Sequence, residues 1–284
     1  MKASSFQVLL AAGLWLAFVG QSPAQTNPSE PAGPTRIAVA YDDVANNASP
    51  TLHEARDVLI SNTALEELGT LLSPLRLPRM LRIAASQCDA ERRRYDPQTA
   101  TVTICYEQVA KILEVAQAHF EPGTHEKLYF ITGATIATLL HETSYGLFDT
   151  LDIPIWGRLE DAADRLSAFL MVQFGEDIAR SAFSGFTNYL IWTHVTPTDT
   201  DLQATLPPQM QRYYNVACIL VVGNPVDVIP VADGMPEGLF APSRFGRCGA
   251  EYEQIRQAFN LRVMPYVDPD KLIAIRAAKW CAVC

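Results

Sequence analysis

The chain has 284 residues, 49% of them hydrophobic, which is enough for a substantial core and excludes a disordered body. Its formal net charge of −9 leaves no basic excess to displace counterions, so nucleic acid and an anionic membrane surface are excluded as partners. In chain order, Met1-Lys2, an apolar run from Phe6 to Val19 and then Ser22-Pro23-Ala24 mark residues 1–24 as a secretory signal peptide, cut after Ala24. The run is shorter than the roughly 20 residues of a membrane span and no later stretch supplies one, so no transmembrane anchor is expected. A secreted or periplasmic location follows. Residues 25–35, rich in Pro, Ser, Asn and Gly, read as a flexible lead-in, and residues 36–284 as one domain.

Arg36 to Tyr41 alternates as a strand, Thr51 to Leu72 has the apolar spacing of a helix, and Leu81 to Ala85 reads as a second strand. Tyr95-Asp96-Pro97 is a turn signal before the β-branched strand Thr101 to Glu107, and Val109 to Phe120 is a helix stopped at Pro122-Gly123. Further helices are expected from Glu176 to Trp192, from Gln209 through Cys218 and from Cys248 to Phe259, with an irregular stretch from Leu220 to Arg247. The six cysteines of an exported chain read as disulfides. Cys88 and Cys105 flank what reads as a hairpin, and Cys218 and Cys248 flank a Pro/Gly-rich excursion, so each couple is expected to pair. Cys281 and Cys284 then form a terminal disulfide rather than a redox motif, which would need a strand-to-helix context.

From Leu128 to Leu140 no residue is charged and apolar side chains fall on every side of the helical wheel, the pattern of a helix buried all round. His141 and Glu142 stand at its end. Adjacent polar residues on a buried helix have partners or a task. After Pro154 and Gly157 a second helix opens with Glu160-Asp161-Ala162-Ala163-Asp164, where Glu160 and Asp164 share a face one turn apart. This layout resembles that of the gluzincin zinc peptidases. There, HExxH sets two imidazoles on the metal, its Glu acts as general base, and the following helix supplies a Glu as third ligand. The resemblance implies His141 and Glu160 as zinc ligands, Glu142 as the catalytic base and Asp164 as the carboxylate that holds the His141 tautomer. Where HExxH has its second His, this chain has Tyr145, a phenol and a weaker zinc ligand than imidazole. His53, His119, His125 and His194 lie outside the motif.

The mature chain as a whole resembles a secreted bacterial family of metallopeptidases. The resemblance rests on Leu139-Leu140-His141-Glu142, the run Gly146 to Pro154, the Gly157-Arg158 turn and Glu160 to Asp164, with outlying matches at Cys105-Tyr106-Glu107, Tyr214-Asn215 before Cys218, and Glu251-Tyr252 after Cys248. It implies an α+β, zincin-like single domain, with a small antiparallel sheet beside long buried site helices and disulfides as staples. In the family, and in gluzincins such as thermolysin, an Asn-Ala-Phe run lies on the strand beside the cleft and holds the substrate backbone by strand addition. This chain has Arg92-Arg93-Arg94 there and keeps Tyr95-Asp96-Pro97, so Arg93, Arg94 and Tyr95 become the substrate-strand residues. On their own, the three arginines read as a solvated hairpin tip. Two functions are carried forward. One is an exported zinc metallopeptidase-like protein, weakly active or inactive, acting on peptides or proteins. The other is a pseudopeptidase that has lost the metal and binds a partner.

Overall fold

The computed structural model describes residues 36–88, 95–194, 208–223 and 242–278. The expected signal peptide and lead-in, Arg92 to Arg94, and Cys281 and Cys284 lie outside them. Strand β1 (Ile37–Tyr41) leads through two helices, α1 (Pro50–Ser61) and α2 (Ala64–Leu71), into β2 (Leu81–Ser86). A helical crossover lets β2 return parallel to β1, with Ile37 opposite Leu81. Strand β4 (Thr101–Cys105) lies parallel on the far side of β2, and β3 (Tyr95–Asp96) completes the order β1-β2-β4-β3 as an antiparallel edge.

The α+β class and the small sheet are as expected, but the expected antiparallel pairing is corrected: among the described strands only β3 and β4 run that way. Periodicity along a strand reports which face is buried, not which way its neighbour runs. The hairpin expected between Cys88 and Cys105 is present as β3 and β4, paired antiparallel with Tyr95 opposite Val102. Strands β2 and β4 point the same way, which brings both cysteines to one end of the sheet. The helix expected over Thr51 to Leu72 is two, because Thr63 takes a left-handed φ of 48° between them. Tyr106 and Glu107, expected to end a strand, open helix α3 (Tyr106–His119).

Helices α4 (His125–Thr150), α5 (Leu159–Phe174), α6 (Glu176–His194), α7 (Pro208–Gly223) and α8 (Pro242–Arg262) follow, then a 3-10 turn (Met264–Tyr266) and α9 (Pro269–Ala277), which the sequence reading did not anticipate. Of the stretch expected to be irregular from Leu220 to Arg247, the two ends are helical, in α7 up to Gly223 and in α8 from Pro242, and residues 224–241 lie outside those described. Among the described residues no helix is long and apolar enough to cross a membrane. Both expected central disulfides are present, Cys88–Cys105 and Cys218–Cys248, with Cα atoms 5.4 and 4.7 Å apart. The second ties α7 to α8.

Helix α4 is the axis of the molecule. Thr124 caps it, accepting a hydrogen bond from the Lys127 amide at 3.3 Å, and it then runs 26 residues between the sheet and α3, α5 and α6. Two glycine contacts set its position. A Cβ on Gly146 would stand 2.7 Å from Leu81 Cδ1 and 2.8 Å from Val102 Cγ2, so the helix lies directly on β2 and β4. Where α4 crosses α6, a Cβ on Gly185 would stand 2.1 Å from the Ala134 amide nitrogen and one on Gly133 only 1.9 Å from the Ser181 carbonyl oxygen. Backbone cannot yield as a side-chain tip can. Gly185→Ala is therefore expected to cost about 3 kcal/mol, the upper end of core overpacking, read as a lower midpoint in urea unfolding; unchanged stability would refute the close crossing.

Candidate metal centre

The polar end of α4 is buried, and His141, Glu142 and Tyr145 there meet polar groups of neighbouring helices. His141 is 4% exposed and Glu142 1%, and Tyr145 stands one turn on from His141, its ring edge-on to the imidazole with centroids 5.4 Å apart. Gly157, at φ 108°, turns the chain into α5, whose first turn carries Glu160, a favourable place for a carboxylate. Four side chains then converge on the imidazole. His141 Nδ1 lies 2.9 Å from Asp164 Oδ1, and Nε2 lies 3.3 Å from Glu160 Oε2 and 3.1 Å from the Tyr145 hydroxyl. Tyr145 also hydrogen-bonds Glu160.

The fourth side chain is Arg212 of α7. Its Nη2 lies 3.0 Å from Asp164 Oδ1 and its Nε 3.2 and 3.3 Å from the two carboxylate oxygens, a bidentate clamp on a carboxylate that is 1% exposed. Nη2 also comes within 3.4 Å of His141 Nδ1, and the guanidinium carbon lies 5.8 Å from the centroid of the Phe186 ring. Beside it, Asn215 Nδ2 donates to Asp161 Oδ1 at 3.0 Å and Gln211 Nε2 to Asn215 Oδ1 at 2.9 Å, which docks α7 on the start of α5. From α3, Gln108 Nε2 donates to Glu142 Oε1 at 3.2 Å.

The electrostatics describe a place built for positive charge. Burial alone would lower the His141 pKa, but hydrogen bonds to Asp164 and Glu160 outweigh it and the net shift is upward. The hydrogen bond from His141 draws Glu160 down to about 2, against the opposing effect of burial and with help from Tyr145. Asp164 lies between the Arg212 guanidinium and Nδ1 of His141, which fixes the ring so that Nε2 faces Glu160 and Tyr145. Nε2 and the Glu160 carboxylate then need a positive charge between them. A proton on the ring is one solution and a metal ion another. Tetrahedral zinc, with bonds of about 2.0–2.1 Å, spaces neighbouring ligand atoms by about 3.3 Å, and the 3.3 and 3.1 Å separations here match that edge. The donor set therefore fits a zinc ion: one imidazole nitrogen, one carboxylate oxygen and one weaker phenol oxygen.

Beside Tyr145 and Glu160 a cleft of about 580 Å³ opens, walled by Phe148, Ile153, Leu159 and, from the edge strand β3, Tyr95. Tyr95 donates to Asp149 and receives a hydrogen bond from Arg79 at 3.2 Å, while Arg79 also pairs with Asp149; burial and the Asp149 contact push the Tyr95 phenol up to about 12. Tyr145, Glu160 and Tyr95 line this cleft, and His141 and Asp164 lie behind the first two; Glu142, buried against Gln108, is not part of the lining. Nor are Cys88, Cys105, Cys218 and Cys248, which are engaged in disulfides away from it. Among the described residues, Cys88, Cys105 and Glu107 also group as metal-ligand types, but both sulfurs are consumed by their bond.

A family model described as "Putative metallopeptidase" matches residues 44–261. The chain belongs to that family. Searches of curated proteins and of solved structures gave no match. The matched span contains every helix that contributes to the centre, including α7, whose part in it the sequence reading missed. The signal was there: Arg212 is the one charged residue between Pro207 and Gly223, and a lone arginine on an apolar helix has a buried partner. Gln108 gave no signal at all, since nothing in the chain order joins α3 to Glu142.

Proposed function

We propose that this member of the metallopeptidase family is an exported zinc metallopeptidase-like protein with a weakened centre, in which His141, Glu160 and Tyr145 hold the ion and Glu142 is the general base. The observation that carries this reading is the mutual facing of His141 Nε2, Glu160 Oε2 and the Tyr145 hydroxyl, with Asp164 behind the imidazole. The apolar run at the N-terminus and the disulfides support export into an oxidising compartment. A peptide or protein substrate suits the cleft, with its backbone added to the free edge of β3 at Tyr95; Arg93 and Arg94 precede Tyr95 in the chain.

Bound zinc would supply Lewis-acid polarisation of the scissile carbonyl. The remaining work belongs to the chain. Glu142, oriented by Gln108 and on the same side of α4 as Tyr145, takes a proton from the attacking water and returns it to the leaving amine. Asp164 keeps the proton of His141 on Nδ1, and Arg212 keeps Asp164 in place to do so. Protein purified without chelators is expected to carry well under one equivalent of zinc by elemental mass spectrometry and to cleave peptides slowly, with cleavage abolished in Glu142→Gln. The Tyr145 hydroxyl supports a second reading, because its 3.1 Å contact with Nε2 also completes the polar set without an ion. On that reading the chain is a pseudopeptidase. It binds a partner through the cleft, holds no zinc even when zinc is added, and shows no cleavage that Glu142→Gln removes.

A further inference from the structure

Two helix ends meet at the cleft beside the candidate centre: α4 finishes there and α5 begins there. The C-terminus of a helix is the negative pole of its dipole and favours a cation in the last turn. Helix α4 has no basic residue in its last turn. It carries Asp149 instead, and Asp152 follows directly after the cap residue Leu151. Asp152 takes a φ of 49° and its amide donates to the Asp149 carbonyl at 3.3 Å, so the residue that closes the helix also adds a carboxylate to its negative end. Such a placement is unfavourable unless a cation comes to it. The positive pole of α5, across the cleft, is answered by Glu160 in its own first turn.

Asp149 has its cation, since Arg79 pairs with it and Tyr95 donates to it. Asp152 has none among the described residues, and it lines the cleft. An exposed carboxylate by itself is merely solvated, and what gives this one a direction is the wall it stands on. Among the described residues the lining holds no lysine, arginine or histidine, and Phe148, Ile153 and Leu159 make its apolar part. Leu159 is 46% exposed, so the apolar wall is open to an incoming group. A carboxylate at the lip of an apolar wall matches a side chain with an alkyl stem and a cationic head.

We propose that the cleft selects peptides by a basic residue, lysine or arginine, whose stem lies along Ile153 and Leu159 and whose head meets Asp152 at the end of α4. The proposal rests on the reading of this cleft as a peptide site, and it holds whether the bound peptide is cleaved or only held. The test measures fluorescence anisotropy of short dansyl peptides with amidated C-termini on the full chain. The peptides are uncharged except at one central position, which is lysine, norleucine or glutamate. Norleucine keeps the stem and lacks the ammonium group. Lysine is expected to bind about fivefold tighter than norleucine, the upper end for an ion pair in contact with solvent, with glutamate the weakest of the three. Raising NaCl from about 0.02 to 0.5 M should bring the lysine advantage below about twofold. Asp152→Asn removes the charge and keeps a residue that tolerates a left-handed φ, so it is expected to bring the lysine peptide down to the norleucine value, with melting curves confirming the fold. Leu159→Arg puts a cation on the wall and should weaken the lysine peptide at least about fivefold. Saturable binding with equal affinities for lysine and norleucine, or with a preference for glutamate, overturns the proposal and leaves the peptide reading standing. A lysine advantage that survives Asp152→Asn also overturns it, because the attraction then comes from the net negative charge of the whole chain, and so does lysine binding unchanged in Leu159→Arg. No saturable binding by any of the three overturns both the proposal and the peptide reading beneath it.

Discussion

Tyr145→His is expected to raise zinc affinity by at least about 100-fold, the upper end of what even an outer-sphere partner of a metal ligand contributes. The change sets a second imidazole one turn from His141 on a helix that is already fixed in place. It completes a His-His-Glu set whose fourth position stays open. Asp164 and Arg212 need not move, since both act on the far nitrogen of His141. Zinc titration by calorimetry, with metal content after dialysis, should give about one equivalent retained in the variant and much less in the parent. Cleavage need not return with the metal, because Arg92-Arg93-Arg94 still stands where the family resemblance puts the substrate-holding run. Parent protein that keeps a full equivalent and digests casein, losing digestion in Glu142→Gln and metal in His141→Ala, would sink the weakened-centre reading and establish tyrosine as a working ligand.

The largest stability effect is expected at Arg212. Arg212→Met leaves Asp164, 1% exposed, with a buried charge whose strongest partner is gone, and stranding such a charge costs about 3–5 kcal/mol. The lower end applies, because Arg212 is itself 29% exposed and water shares the burden of screening. Adding Asp164→Asn to Arg212→Met should recover most of the loss, since the double variant has no charge left to strand. Urea denaturation of the two single variants and the pair forms a closed cycle. Additive losses in the pair would mean that the two residues contribute separately, against the geometry of the clamp.

The candidate centre was more legible in the sequence than the fold around it. His141, Tyr145, Glu160 and Asp164 lie on two consecutive helices, so helical periodicity and one short connection suffice to bring them together. What depends on distant chain was read incompletely. The direction of β2 relative to β4 is a property of their pairing, and side-chain alternation carries no trace of it. Arg212 arrives from a helix 48 residues beyond Asp164 and betrays itself only as an isolated charge. Local backbone strain was equally invisible: nothing about Thr63 in the sequence announces that it will stop α1 and start α2. Cys88–Cys105 and Cys218–Cys248 were read correctly for a simpler reason, since each joins cysteines that bracket a single excursion of the chain.

The tight seat of α4 against β2, β4 and α6 has a consequence for how such a centre can be lost and regained. Its backbone is positioned by glycines at 133, 146 and 185, none of which depends on the identity of residue 145. The glycine contacts that seat the helix therefore survive the exchange of tyrosine for histidine, and codons for those two amino acids differ by one base at the first position. On the proposed reading, a population carrying this gene stands a single transition away from the imidazole form, with no glycine seat to rebuild in between.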